Sequence, residues 1–173
     1  MTIEEVVAKQ EITELSAKYM RGLDRLDKAL MQSVFFADAT VDYGFFKGNA
    51  IEFVDFAQEV LKDHAVNHHM IGQVLITLES KQGGADTAFG EVYFQAYHRV
   101  VQEDKPVDLL ISGRYLDRYE YRDSGWKIAF RCEVNDWSRT DPAADEYMQS
   151  NTEGLVSGRQ NDLSYDTAFM NQR

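Results

Sequence analysis

Residues Val66 to Gln73 read VNHHMIGQ, and they hold two of the four histidines in the chain, His68 and His69. A neutral imidazole takes up a proton near neutral pH when its pKa stays near the ordinary value of about 6.5 and its tautomer is fixed. A carboxylate on the far ring nitrogen serves both needs. Asp24, in the segment RGLDRLD, lies just past the first helical stretch, and the histidines precede the first long strand. Both segments reach one cavity if the helices fold into a curved sheet. The competing reading makes Asp24 a helix cap and leaves both histidines in a loop. Spacing alone leaves that choice open. In an extended chain neighbouring side chains point to opposite faces, so only one of the two histidines can then be the base.

Other chemistry is poorly supplied. Adjacent histidines diverge rather than chelate together, and there is no H-E-x-x-H pattern, so no metal site is expected. The glycines in GQV and QGGAD lack the strand-turn-helix context of a nucleotide loop, so no cofactor is expected. No serine or cysteine stands out as an activated nucleophile. Phe35, Phe36, Phe45, Phe46, Phe53 and Phe56 read as core or cavity lining. Tyr93 and Tyr97 alternate with Phe94 and His98, so the two pairs face opposite ways. His98, beside Arg99, is expected outside the site, and His64 at the end of a helix. Tyr115, Tyr119 and Tyr121 share a face that suits an aromatic ligand or a subunit interface equally. Cys132 reads as a small buried hydrophobe.

The elements that must position these groups start with a helix capped by Thr2, with Val6, Ile12, Leu15, Ala17 and Tyr19 at helical spacing and Gly22 ending or loosening it. Asp27 caps a second helix over Lys28 to Phe36. Phe36 to Ala39 reads as a turn into a strand, Thr40 to Tyr43. Gly44 and Gly48 bracket a hairpin-like segment, and Asn49 caps a third helix from Ala50 to Lys62. From Val74 the period moves toward two: VLITLES, TAFGEVYFQAYHRVV, VDLLISGRYLDRYEYR and WKIAFRCEVNDW are strands. Helices first and long strands after predict an α+β cone. In it the N-terminal helices pack in a strongly curved mixed β-sheet enclosing a cavity. Residues 1–137 form the expected catalytic domain. Residues 138–173 form a tail expected to cover the pocket or a neighbouring subunit.

The chain has 173 residues, 44% hydrophobic and 27% charged, which suits one globular domain. A formal net charge of −11 with scattered Lys and Arg argues against nucleic acid. The single cysteine excludes an intrachain disulfide and fits a reducing compartment. The acidic start, MTIEEVV, is unlike a secretory signal, and no apolar run nears the roughly 18 to 20 residues that span a bilayer. A cytoplasmic protein with no membrane partner is expected.

The segments AKYMRGLDRLDKALMQSVFFADATVDYGFFKG, NHHMIGQ and SGRYLDRYEYRDSGWKIAFRCEVNDW, in that order, resemble the SnoaL-like branch of the nuclear transport factor 2-like superfamily. That branch includes scytalone dehydratase, hexachlorocyclohexane dehydrochlorinase and the bile-acid 7-alpha-dehydratases. The resemblance covers roughly Ile3 to Trp137. It implies that Asp24 and His69 are the catalytic pair, with Gln73 where an asparagine is usual. It further implies that Tyr19 and Tyr43 are functional phenols, and that Arg131 is the basic residue of the last hairpin. Beside it stands the plainer reading of each: buried aromatics, and an arginine paired with Glu133 or Glu91. His68, Glu91 and Tyr93 join Tyr43 as expected substrate-binding positions.

A neutral histidine, an orienting carboxylate, phenols and an arginine make an acid–base set. The expected function is a cofactor-independent lyase that eliminates water or a small aldehyde from an apolar, oxygenated aromatic or polycyclic molecule. The lyases that release formaldehyde from lignin-derived aryl diols are one version of it. The alternatives are a polyketide-cyclase or ketosteroid-isomerase type of enzyme with a carboxylate base, and a non-catalytic protein like a dioxygenase small subunit. Tyrosine-rich strands predict a homo-oligomer, and the resemblance favours a trimer over a dimer.

Overall fold

The computed structural model describes residues 1–81, 84–123, 125–144, 146–150, 158–159 and 161–171. Helix α1 (Ile3–Asp24) opens with a capping box. The Thr2 hydroxyl accepts from the Glu5 N–H at 3.2 Å, and the Glu5 carboxylate accepts from the Thr2 N–H at 2.8 Å. Ile12, Leu15, Ser16, Tyr19, Met20 and Leu23 form its buried stripe, whereas Val6 and Ala17 lie outside it and are exposed. The helix does not stop at Gly22. It continues to Asp24, because the glycine is there to let the next helix cross: a Cβ at Gly22 would fall 2.8 Å from the Met31 Cβ. Leu26 then turns the chain with a left-handed φ of 52°.

Helix α2 (Lys28–Ser33) is capped by Asp27, which accepts from the Leu30 N–H. It ends short of the expected Phe36. Phe35 and Phe36 are buried in β1 (Phe35–Asp42), so the expected turn at Phe36–Ala39 is strand. Strand β2 (Lys47–Asn49) completes the expected hairpin around Gly44. Asn49 caps α3 (Ala50–Leu61), accepting from the N–H groups of Ile51 and Glu52.

Four long strands follow: β3 (Val66–Lys81), β4 (Gly84–Gln102), β5 (Lys105–Arg122) and β6 (Gly125–Pro142). The sheet order is β2-β1-β6-β5-β4-β3, with β1 parallel to β6 and every other pair antiparallel. The sheet is curved and unclosed, with the N-terminal helices against its inner face, as the mixed α+β cone required. Two boundaries differ from the expected ones. Strand β3 begins at Val66, so both histidines are strand residues and not loop residues; a register shift between Ile71 and Val74 breaks the alternation that would have revealed it. Strand β6 runs to Pro142, five residues beyond Trp137, because Val107 to Ile111 of β5 offer it partners. The turn between β4 and β5 is Glu103–Asp104, with φ of 49° and 61°. Pro106 sits within the pairing rather than breaking it. The Gln82–Gly83 turn lies outside the described residues.

Beyond β6 come α4 (Glu146–Ser150), a short 3-10 turn at Leu163–Tyr165 and α5 (Thr167–Met170). Arg159, Asp162 and Tyr165 of the tail lie against the C-terminal ends of α1 and α3. Arg159 donates to the carbonyls of Leu61, Lys62 and His64, Arg25 pairs with Asp162, and Tyr165 donates to Asp27. Among the described residues no helix is long and apolar enough to cross a membrane.

The core is built around an ion pair. Arg131 of β6 donates to Asp117 of β5 through Nε at 2.8 Å and Nη2 at 2.7 Å, and both side chains are 0% exposed. Tyr119 donates to the same carboxylate, and the guanidinium lies between the Tyr19 and Tyr115 rings at 4.3 and 4.1 Å. Removing one partner strands a charge in the interior. The substitution Asp117→Ala is therefore expected to cost about 3–5 kcal/mol in urea unfolding. Arg131→Met combined with Asp117→Leu should recover part of that loss. A single variant as stable as the parent would show the pair to be idle.

Candidate active site

Asp24 is the last residue of α1, at the negative end of the helix dipole, a poor place for a carboxylate. His69 of β3 compensates it. Its backbone N–H donates to both carboxylate oxygens, at 3.0 and 3.1 Å, and its ring Nδ1 lies 2.6 Å from Oδ1. The side chains are only 8% and 6% exposed. A carboxylate only accepts, so Nδ1 carries the proton and Nε2 is left bare. His68 pairs with Tyr97 where His69 pairs with Ala96; it points the opposite way and is exposed.

Two more histidines line the same cavity, neither of them expected there from the sequence. His98 of β4 packs edge-on to His69 with ring centres 5.0 Å apart, and edge-on to His64 at the same distance. Asn67 holds this group together. Its Nδ2 donates to the Leu61 carbonyl at 3.0 Å, which turns Oδ1 toward Nδ1 of His64 at 2.9 Å and Nδ1 of His98 at 3.0 Å. Each ring can donate Nδ1–H to that oxygen, and the two Nδ1 atoms lie 3.3 Å from each other, which couples the two tautomers. Burial pushes the His98 pKa down to about 3, with the nearby imidazoles of His69 and His64 adding to the fall; burial also lowers His64. The sequence signal for His98 is its shared strand face with Phe94: a core phenylalanine puts the residue four further on inside as well.

The cavity, about 260 Å³, has a second polar end. The Tyr19 and Tyr43 hydroxyls are 2.6 Å apart. Tyr43 stacks on Phe53 and Tyr115 stacks on Phe94. Burial raises the Tyr19 phenol to about 12 and takes Tyr43 and Tyr115 well above 10.0, so all three stay protonated. Glu133 of β6 also lines the cavity. Burial lifts its pKa to about 7, against the smaller opposing effects of Asn135 and Arg131. Between the two ends the lining is apolar, from Leu23, Ala57, Phe94, Ala96 and Ile111, and the mouth carries Phe56, Val60 and Phe45, the last 70% exposed.

The remaining expected site residues lie elsewhere. Arg131 does not line the cavity, and its partner is Asp117 rather than Glu133 or Glu91; it is sealed beneath Tyr19 and Tyr115. Glu91 and Tyr93 sit on the outer sheet face, where Arg114 pairs with the one and lies over the ring of the other. Their neighbours Val92 and Phe94 are the inward ones. Gln73 is exposed on that outer side. A larger hollow of about 480 Å³ between Leu75, Phe89, Leu116 and Phe130 is also on the outer face, away from the histidines. Among the described residues, no three His, Cys, Asp or Glu side chains are grouped to hold a metal ion.

The depressed His98 gives the protein a pH signature. Between about 3 and the ordinary value of 6.5 the unfolded chain protonates this side chain and the folded chain does not, so stability falls as pH drops through that window. Urea midpoints at stepped pH should show the fall, and His98→Gln should flatten it. An unchanged slope would place the titration elsewhere.

Residues 4–132 match the family described as SnoaL-like domain. None of the curated proteins matches the chain. Among solved structures, the hexachlorocyclohexane dehydrochlorinase LinA-type3 of Novosphingobium barchaimii superposes with a TM-score of 0.70 at 19% identity, over 83% of this chain and 94% of its own. A protein provisionally assigned as a scytalone dehydratase, from Novosphingobium aromaticivorans, gives 0.70 at 20% identity over 83% and 94%. A point variant of a Mycobacterium tuberculosis protein of unknown function gives 0.63 at 18% identity and spans 96% of this chain and 88% of its own. At such identities the likeness is one of fold. Matched over most of its length, the chain belongs to the SnoaL-like domain family.

Proposed function

We propose that the protein is a cofactor-independent lyase that eliminates water or a small aldehyde from an uncharged, oxygenated aromatic molecule. The observation that carries this reading is the Asp24–His69 pair at the wall of an aromatic cavity. Nε2 of His69 removes the proton, from carbon in a dehydration or from a hydroxyl in carbon–carbon cleavage. Asp24 stabilises the imidazolium that forms. Tyr19 and Tyr43, protonated and linked, donate toward the oxygen that gains charge. Arg131 acts behind Tyr19 and Tyr115 as a support rather than on the ligand.

The substrate class follows from the lining. Among the described residues no lysine or arginine lines the cavity, so a carboxylate or phosphate on the ligand would find no countercharge there. Stacked rings on two walls favour a flat apolar body. An engineered cavity of about 150 Å³ takes up benzene, so about 260 Å³ suits a molecule of one or two rings. Dehydrochlorinase and dehydratase names among the structural neighbours support elimination as the reaction type. Residues 1–137 would supply this chemistry, with residues 138–173 as a tail that covers the pocket or a neighbouring subunit. Exposed Leu75, Phe89, Leu116 and Trp137 support assembly of copies, the resemblance favours a trimer over a dimer, and the lone cysteine supports a cytoplasmic setting.

Incubation with a panel of aryl alcohols and aryl diols, read by product mass, tests the activity and separates loss of water from loss of formaldehyde. Asp24→Asn keeps the shape but removes the charge, and turnover is expected to fall by a factor on the order of 100 with little change in melting temperature. If Asp24 is only a helix terminus, turnover stays near normal. His69→Ala should abolish proton transfer, whereas His68→Ala on the outer face should leave it nearly intact. The reverse result would reject the assignment. Full activity in both would move the base to a carboxylate, the polyketide-cyclase or ketosteroid-isomerase type of chemistry.

A further inference from the structure

We propose that Glu133 is the acid partner in this reaction, a neutral carboxylic acid on the cavity wall that gives its proton to the departing oxygen. The inference rests on the lyase reading and adds a group to it.

Glu133 and His69 line one cavity from different strands. Glu133 on β6 is in register with Tyr115 on β5, and His69 on β3 is in register with Ala96 on β4. Strands β5 and β4 lie between them, so the two groups address opposite ends of a bound ligand. At the histidine end the neutral His69 ring offers a bare Nε2, which accepts the proton. The departing oxygen lies toward the other end, and its donor is sought there. Tyr19 and Tyr43 spend one hydroxyl proton on each other and are weak acids. Glu133 titrates near neutrality, where a donor works best.

Burial is what favours the protonated form of Glu133. The titratable groups facing it from other elements are the uncharged phenols of Tyr19 on α1, Tyr43 just past β1 and Tyr115 on β5, none of them a counterion. On its own strand, Asn135 and Arg131 favour the ionised form, and Cys132 is its neighbour. Arg131 would be the natural counterion, but its charge is committed to Asp117. The carboxyl is therefore half-buried beside a cation that is already paired. In the elimination the C–H bond breaks and its proton goes to Nε2 of His69. The electron pair forms the double bond, the C–O bond breaks, and the oxygen leaves as water with the Glu133 proton. The site ends as an imidazolium and a carboxylate, and a proton returned from one to the other through solvent resets it.

Two measurements test this. Difference infrared spectra, wild type minus Glu133→Gln, isolate the carboxylic acid band of Glu133. The band should be present on the acid side and vanish through about pH 7. The second uses benzisoxazoles of graded leaving-group strength, whose ring opening needs a base for the C–H proton and is helped by an acid at the oxygen, most for the poorest leaving group. Glu133→Gln should slow the poorest leaving group by a factor on the order of 100 and the best one far less. His69→Ala should slow all of them. A carboxyl ionised well below neutrality, or an equal effect of Glu133→Gln on every leaving group, overturns the inference while leaving the His69 base standing. If the wild type opens none of the benzisoxazoles, the infrared titration alone decides. Benzisoxazole opening that survives His69→Ala counts against the lyase reading instead.

Discussion

The contact between Asp24 and His69 joins the two halves of the molecule. A carboxylate at the C-terminal end of a 22-residue helix is opposed by the helix dipole, and it is held there by a backbone N–H and a ring nitrogen from an edge strand. The same donors that stabilise the anion fix the end of α1 against β3 and orient the imidazole. Gly22 and Leu26 serve this contact, because the one allows α2 to cross closely and the other turns the chain just past Asp24.

At the opposite end of the cavity the order of dependence is similar. Asp117 neutralises Arg131, and Arg131 supports the faces of Tyr19 and Tyr115. Tyr19 holds Tyr43, and Tyr43 stacks on Phe53 of α3. A buried ion pair is a costly way to gain stability. Here it places a cation under two phenols without exposing it to the ligand. The cavity thus keeps a proton-accepting histidine end and a proton-donating phenol and carboxyl end, with apolar walls between them.

Much of this is legible in the chain. Thr2, Asp27 and Asn49 mark the helix starts, and alternation marks the long strands. The motif resemblance points to Asp24, His69, Tyr19 and Tyr43, and all four line the site or hold a group that does. The misplacements share a physical cause. Residue type alone suggests Glu91 and Tyr93, yet parity with Val92 and Phe94 puts them outside. The neighbour Arg99 argues for an outward His98, although adjacent strand residues face opposite ways. Glu133 and Asn67 carry no motif; only the three-dimensional pairing shows that one lines the cavity and the other bridges two histidine rings. Arg131 stands out in the last hairpin, but its partner fourteen residues away across that hairpin has no local signature.

The central claim is that His69 presents a bare Nε2 to the cavity because Asp24 holds the proton on Nδ1. Nitrogen-15 NMR of the imidazole, assigned by comparison with His69→Ala, reads the tautomer directly. At a pH where the ring is neutral, the Nδ1–H form should dominate in the wild type and lose its dominance in Asp24→Asn. A wild-type ring with its proton on Nε2 would contradict the claim.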